Sequence, residues 1–417
     1  MNSTSTTVFR SRRLLHFRAP VVSGVSQLVG LIQIVLLTRG GAAGLATDTY
    51  FFLFNLSLLP IQILLAGLLY PTLLNQTLGH SRSRLIHWVR IGTPFLCVVA
   101  VALGAGWLWH LNKLPSDLYF LMALCALNGF ISAHIWYHCL EIAIEGRALW
   151  LAGVALPANL LACLAIAKAW DPASLRATIM VAGLVLGNVM LLSYMTLTGR
   201  TRHPGTDRLA APKRGHTLGS IWFLAKSITG YASQNIVQAL ALLLPAASLT
   251  LVSVMTRIVG SFSTTVISSM LPRFVNRYSD SQTAVKRFLR WMTGLLLVPF
   301  VIVALLGLAI RVPYAPYPTL VAAWILASSM NVAAQRMAYR FLAPSASMLS
   351  IASAIVVILF LCIASTTSWF TLHVLLLGSL ALDAIPASCL LWTLRERLTG
   401  GIPAVVFVIT CAIVLGT

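Results

Sequence analysis

An arginine inside a stretch long enough to cross a bilayer needs a partner that hydrocarbon cannot supply, and Arg257 stands in such a stretch, 251–272. At about 100° per residue, Ser253, Arg257, Ser261, Thr264 and Ser268 fall within a sector of roughly 80°. The positions between them are mostly Val, Ile, Met and Phe, so one helix face is polar and cationic. A charge at mid-membrane costs roughly 2.5–3.5 kcal/mol on the insertion scale, which is why such residues face a bundle interior or a wet cavity and mark a substrate path. The hydroxyls by themselves also fit close helix packing, and Thr256 and Ser263 lie off the stripe.

Other polar groups stand in apolar runs. Asp48, Asn55 and Gln62 recur at seven-residue steps, which keeps them on nearly one helix face with about 20° of drift per heptad. Gln27 and Gln33 lie about 120° apart on the first run, and Lys226, Gln234 and Gln238 spread over a similar arc on the seventh. Amides in such places either bond neighbouring helices or line a cavity. Lys226, near the end of its run, also fits a snorkelling side chain. Asp383 is mid-run with no charged residue within four positions, so a titratable carboxylate at that depth is a candidate for ion coupling, with an ion pair to an arginine as the competing reading. His134, His138 and Glu141 share a helix face, but a single box beside Trp136 and Tyr137 reads as an interfacial aromatic belt, and no metal site is expected. Nucleophile motifs, phosphate-binding glycine loops and paired carboxylates are missing from the sequence.

The elements that must position these groups follow from composition. Hydrophobic residues make up 59% of 417 and charged ones 9%, against about 25% charged in soluble domains. An all-α polytopic membrane protein is expected. About twelve apolar spans lie near 20–38, 49–73, 91–111, 118–138, 148–168, 176–196, 221–245, 249–272, 291–310, 319–339, 347–365 and 372–392, each close to the length that crosses a hydrocarbon core. A thirteenth run, 402–416, is short. The net charge of +20 could suggest nucleic acid, but its distribution decides otherwise: 22 of the 29 Lys and Arg fall at the N-terminus and on every second loop. The positive-inside rule then puts the N-terminus and those loops in the cytoplasm. The polar, basic residues 1–18 run into a full span, so the first helix is expected to stay as an anchor. Six of seven cysteines lie in apolar runs, which indicates neither disulfides nor a metal cluster. Prolines inside spans, at 60, 94, 157, 299 and 386, are candidate kinks.

The longest loop, 197–220, is rich in Arg, Gly and Pro and reads as a cytoplasmic linker between a six-helix lobe at 1–196 and a second at 221–392, with a tail at 393–417. Six spans on each side give the halves one orientation, as in a parallel repeat. Residues 27–37, an outer turn and a helix ending Leu69-Tyr70-Pro71 echo 234–244, a turn and a helix ending Met270-Leu271-Pro272.

The segment Arg39-Gly-Gly-Ala-Ala-Gly-Leu-Ala-Thr47-Asp48-Thr49-Tyr50-Phe51 resembles the arginine, glycine-rich turn and Thr-Asp-Ala-Phe start of the second helix in the multidrug/oligosaccharidyl-lipid/polysaccharide (MOP) exporter superfamily, in its lipid II flippase and polysaccharide-lipid flippase branches. Arg257 with Leu271-Pro272 is similar to that group's eighth-helix arginine and terminal Leu-Pro, and Glu145-Gly146-Arg147 with Pro157 and Asn159 to its fourth-to-fifth helix turn. The resemblance implies two pseudo-symmetric six-helix lobes in a V around a cationic cavity. It further implies a flippase that carries a polyprenyl-diphosphate-linked glycan to the outer leaflet by alternating access. Expected with it are a multi-pass bacterial inner-membrane location, a monomer among membrane lipids and glycan-assembly enzymes, and no cofactor beyond a proton or sodium gradient or the membrane potential. Cavity residues on this reading are Arg257, Arg39, Lys226, Gln27, Gln33, Asn55, Gln62, Ser261 and Thr264, with Asp48 and Asp383 as ion-coupling candidates. Gln27 and Gln33 stand where lipid II flippases carry first-helix arginines, and two further C-terminal helices are reduced to at most one, which favours another polyprenyl-linked glycan. Two other functions compete: a cation-coupled exporter of small drugs, which would want carboxylates in its cavity, and a membrane glycosyltransferase, which would want catalytic carboxylates or a large outer loop.

Overall fold

Hydrocarbon offers the backbone no hydrogen-bond partner, so long apolar runs are stable across it only as helices or closed barrels. A computed structural model of the chain describes residues 4–39, 44–70, 81–113, 118–144, 149–168, 171–198, 218–263, 265, 282–310, 316–341 and 347–415, and among these it has helices and no strand. In chain order the helices are α1 (Thr4–Thr38), α2 (Leu45–Pro60, extended by a π-helical segment, Ile61–Leu69), α3 (Ser81–His110), α4 (Tyr119–Ile144), α5 (Leu149–Gly153), α6 (Leu156–Ala165), α7 (Ala173–Leu197), α8 (Leu218–Ala241), α9 (Ser248–Phe262), α10 (Gln282–Ile310), α11 (Pro316–Phe341), α12 (Met348–Ala364), α13 (Leu372–Thr393) and α14 (Arg397–Leu415). Each of the thirteen apolar runs contains helix among its described residues. Among the described residues eight helices are long and apolar enough to cross a membrane, and four shorter apolar ones accompany them, including α9, α12 and the thirteenth run in α14.

Burial is inverted relative to a soluble protein. Leu103, Phe95, Val298, Leu305, Val356 and Ile363 are exposed, while Asp48, Asn128, Asn188, Lys226, Gln238 and Asn331 are buried. Only a solvent that is itself apolar makes that arrangement stable, and the chain is a multi-pass membrane protein.

Proline acts where geometry lets it. At Pro60 the missing N–H and the ring's clash with the preceding turn end the α-helical pattern, and the chain continues as π-helix. At Pro157 the fifth span is broken: Val154 and Ala155 form a turn, and proline takes a place in the first turn of α6, where its missing donor is not needed. Pro94, Pro299 and Pro386 sit inside continuous helices, so no break follows from them.

Packing falls into two sets. In the first, α1 lies against α5, α6 and α7, and α2 against α3, α4 and α7, with α3 on α4 and α4 on α7. In the second, α8 lies against α12 and α13, α9 against α11, α10 on α11 and α11 on α13, and α14 adds to α10, α11 and α13. Matching α1 with α8, α2 with α9, α4 with α11 and α7 with α13 makes most of these contacts correspond. The sets meet where α1 touches α9 and where α2, with its π segment, touches α8 and α9. Close approach within a set uses small residues: a Cβ on Gly183 or Gly187 of α7 would come within 2.8 or 2.5 Å of the Ala162 or Ala158 Cα of α6. A continuous apolar core runs through both sets, from Tyr50, Phe52 and Leu53 to Leu249, Val252, Leu380 and Leu391.

Candidate functional site

α9 runs antiparallel to α1, and the register between them can be read from three contacts. A Cβ on Gly24 would meet Thr265 Cγ2 at 3.4 Å. Ser261 donates to Gln27 Oε1 at 3.0 Å. A Cβ on Gly30 would come within 2.7 Å of Arg257 Nη2 and 3.3 Å of Asn159 Nδ2. The glycine therefore makes room for the guanidinium, and α6 brings Asn159 over the same spot. Tyr50 from α2 and Cys163 from α6 also face Arg257. Cys163 is held by a bond to the Val29 carbonyl oxygen at 3.4 Å.

What surrounds Arg257 is polar but does not neutralise it. Among the described residues no carboxylate pairs with it. Tyr50 Oη and Gln33 Oε1 are buried beside it, each without a hydrogen-bond partner, and so is Ser253 Oγ one turn before it on α9. An unbonded polar group out of water costs about 1–3 kcal/mol, so each of these three burdens the fold as it stands.

The two acids that could have paired with Arg257 are bonded elsewhere. Asp48, at the start of α2, accepts from the Ala247 amide at 2.8 Å, the Thr250 amide at 2.7 Å and the Thr250 hydroxyl at 2.6 Å. It thus caps the N-terminus of α9 in place of a side chain from that helix's own N-cap residue, Ala247, and a carboxylate there complements the positive end of the helix. Ala247 holds φ 73° to aim its amide at the carboxylate, a left-handed conformation that costs a residue with a Cβ roughly 1–2 kcal/mol. On the other side of the same turn, the ammonium of Lys113 donates to the Leu242 carbonyl at the end of α8. The α8–α9 turn is therefore gripped by an acid at one helix N-terminus and a base at the other's C-terminus.

Asp383 of α13 accepts from Trp324 Nε1 at 2.9 Å and Asn331 Nδ2 at 2.8 Å, both on α11, and Gln335 in turn donates to Asn331. The corresponding helix pair in the first set carries amides instead: Asn188 of α7 donates to Asn128 Oδ1 at 2.9 Å and Ser132 Oγ at 3.1 Å on α4.

Of the residues expected to line a cavity, the structure gathers Arg257, Gln33, Gln27 and Ser261 along the α1–α9 seam. Asn55 and Gln62 are half-buried on α2. Lys226 is buried in α8, next to Ser227, which fills the space over Gly67 of the π segment. Arg39 does not join them: it is exposed at the end of α1, and its carbonyl accepts from Arg176 at 2.6 Å. Thr264 lies outside the described residues. The sequence reading overlooked Tyr50, Gly30 and Cys163. Gly30 was recoverable, since at 100° per residue it falls midway between Gln27 and Gln33 on one arc of α1.

The sequence matches no family model and no curated protein. Solved structures do resemble it. The lipid II flippase MurJ in an inward closed conformation is similar over 95% of this chain and 97% of its own, with a TM-score of 0.55 at 12% identity. Two forms of the Vibrio cholerae MATE transporter VcmN, the bent form and a mutant, cover 96% and 99% of this chain at 13% identity with TM-scores of 0.42 and 0.44, too low to bear on the fold. By its likeness to MurJ the chain shares that protein's fold, an all-α membrane architecture.

Proposed function

We propose that this MOP-fold protein is a flippase that moves a polyprenyl-diphosphate-linked glycan across a bacterial inner membrane by alternating access. The observation that carries the reading is Arg257: a guanidinium at the seam between the two sets of helices, with no carboxylate on it among the described residues, beside a buried hydroxyl and a buried amide oxygen. A planar fork of donors suits phosphoryl oxygens, which arrive with the cargo and leave with it. The lobes on this reading are 1–196 and 221–392 around a cytoplasmic linker at 197–220, with the N-terminus inside. The gripped α8–α9 turn then lies at the outer face and opens as the cargo exits. Asp383 is the ion-coupling residue. Export of small cationic drugs would call for carboxylates open to cargo, and Asp48 and Asp383 both accept bonds from their own neighbours.

The test is flipping of a fluorescent polyprenyl-diphosphate glycan in proteoliposomes, measured alongside membrane abundance. Arg257→Lys, which replaces a bidentate fork by a point charge, is expected to lower flipping by about tenfold or more at normal abundance. Full flipping by Arg257→Ala would place the cargo elsewhere and end this reading.

A further inference from the structure

Tyr50 is 1% exposed, and its ring is fixed against Phe51 and Phe54 at centroid distances of 5.0 and 5.4 Å, so its hydroxyl has one direction to point. That direction is toward the Arg257 guanidinium and the Gln33 amide, and the hydroxyl is within polar reach of both while meeting the geometry of a direct hydrogen bond with neither. Gln33, also 1% exposed, leaves Oε1 equally unbonded. Phenylalanine would fill the same space without an unbonded buried hydroxyl, so the phenol is a burden to the cargo-free fold. A hydroxyl in that position becomes favourable when an acceptor arrives within its reach, and Arg257 beside it selects an anionic one.

We propose that Tyr50 is a cargo-binding residue whose hydroxyl donates to a phosphoryl oxygen held at the same time by Arg257. The proposal rests on the flippase reading and deepens it by naming a neutral donor on α2 that joins the cation on α9. Two opposing helix sets then grip one phosphoryl group. A neutral donor adds grip without adding charge. This suits a site that carries glutamines at 27 and 33 on α1 and must still release its cargo.

The experiment is thermal unfolding of the purified full chain in detergent, titrated with farnesyl diphosphate, with farnesol and with inorganic pyrophosphate. The wild type is expected to be stabilised by farnesyl diphosphate and not by farnesol. Tyr50→Phe is expected to unfold at the same or a higher temperature without ligand, and to need about 10- to 100-fold more farnesyl diphosphate for the same shift, the range for one hydrogen bond to a charged acceptor. A Tyr50→Phe protein that unfolds earlier without ligand, or that responds to farnesyl diphosphate as the wild type does, overturns the proposal. Arg257→Gln separates the two readings. If it keeps the full response, the flippase site is wrongly placed; if it loses the response while Tyr50→Phe keeps it, only the role of Tyr50 falls. A shift with pyrophosphate equal to that with farnesyl diphosphate would overturn a lipid-linked source for the phosphoryl group.

Discussion

Asp48 and Arg257 both stand where α2 meets α9, roughly two helical turns apart along α9, and their surroundings are opposite. Asp48 is saturated, with two backbone amides and a hydroxyl donating to it within 2.8 Å. Arg257 has room made for it by Gly30 and neutral groups around it, and among the described residues no acid. A buried charge that its own protein satisfies is architecture, since removing it leaves the partners stranded. A half-buried charge among neutral groups burdens the fold, and on the proposed function a ligand meets it part of the time.

The comparison predicts changes of opposite sign. Asp48→Ala strands two amides and a hydroxyl at a helix N-terminus and should destabilise the protein by about 3 kcal/mol, seen as earlier thermal unfolding and lower abundance. Arg257→Met removes an uncompensated cation and should stabilise the cargo-free protein by about 1 kcal/mol while abolishing flipping. Thermal unfolding of both variants side by side decides it. If both fall, Arg257 is structural after all and the contrast is broken.

Gly30→Ala sharpens the same contrast with a smaller effect. Its Cβ would crowd Nη2 at 2.7 Å, but the crowded atom ends a flexible side chain, so the guanidinium can shift and the fold survive. Displacing the fork by about an ångström is expected to reduce flipping roughly tenfold with abundance unchanged. Lost abundance with normal flipping per molecule would show that Gly30 serves packing alone.

How legible all this was depends on the range of the physics involved. Helices were readable because hydrocarbon length and backbone satisfaction leave an apolar run little else to become, and even the broken fifth span carries its reason in Pro157. Arg257 was readable because a charge and its hydroxyls recur on one helix face. Asp48 as the cap of α9 was not, because its partners are about two hundred positions away and no local pattern announces them. Tyr50 hid for a different reason: an aromatic in an apolar run reads as core, and the ring is core. Only its hydroxyl differs, and what that atom faces is set by three helices at once. Arg39 stands apart from the seam, since a basic residue at a span's end is equally suited to exposure, and exposed is how it is found.

The smallest effect concerns Asp383, and the amide cluster of the first helix set helps to size it. The α4–α7 pair holds Asn188, Asn128 and Ser132 in a bonded group with no charge, so this kind of seam packs stably around an amide. Asp383→Asn should then fold. One of the donors, Trp324 or Asn331, can keep its acceptor in the new Oδ1, and the other loses it, a cost of about 1 kcal/mol. Abundance should change little. What the amide cannot do is take up and release a proton or balance a cation. If Asp383 couples transport to an ion, the asparagine variant should flip cargo at a rate that no longer responds to an imposed proton or sodium gradient, while flipping down a cargo gradient persists. The measurement is flipping in proteoliposomes with and without each gradient. A gradient response equal to that of the wild type would make Asp383 the charged counterpart of Asn188 in structure only, and coupling would have to be sought at another residue.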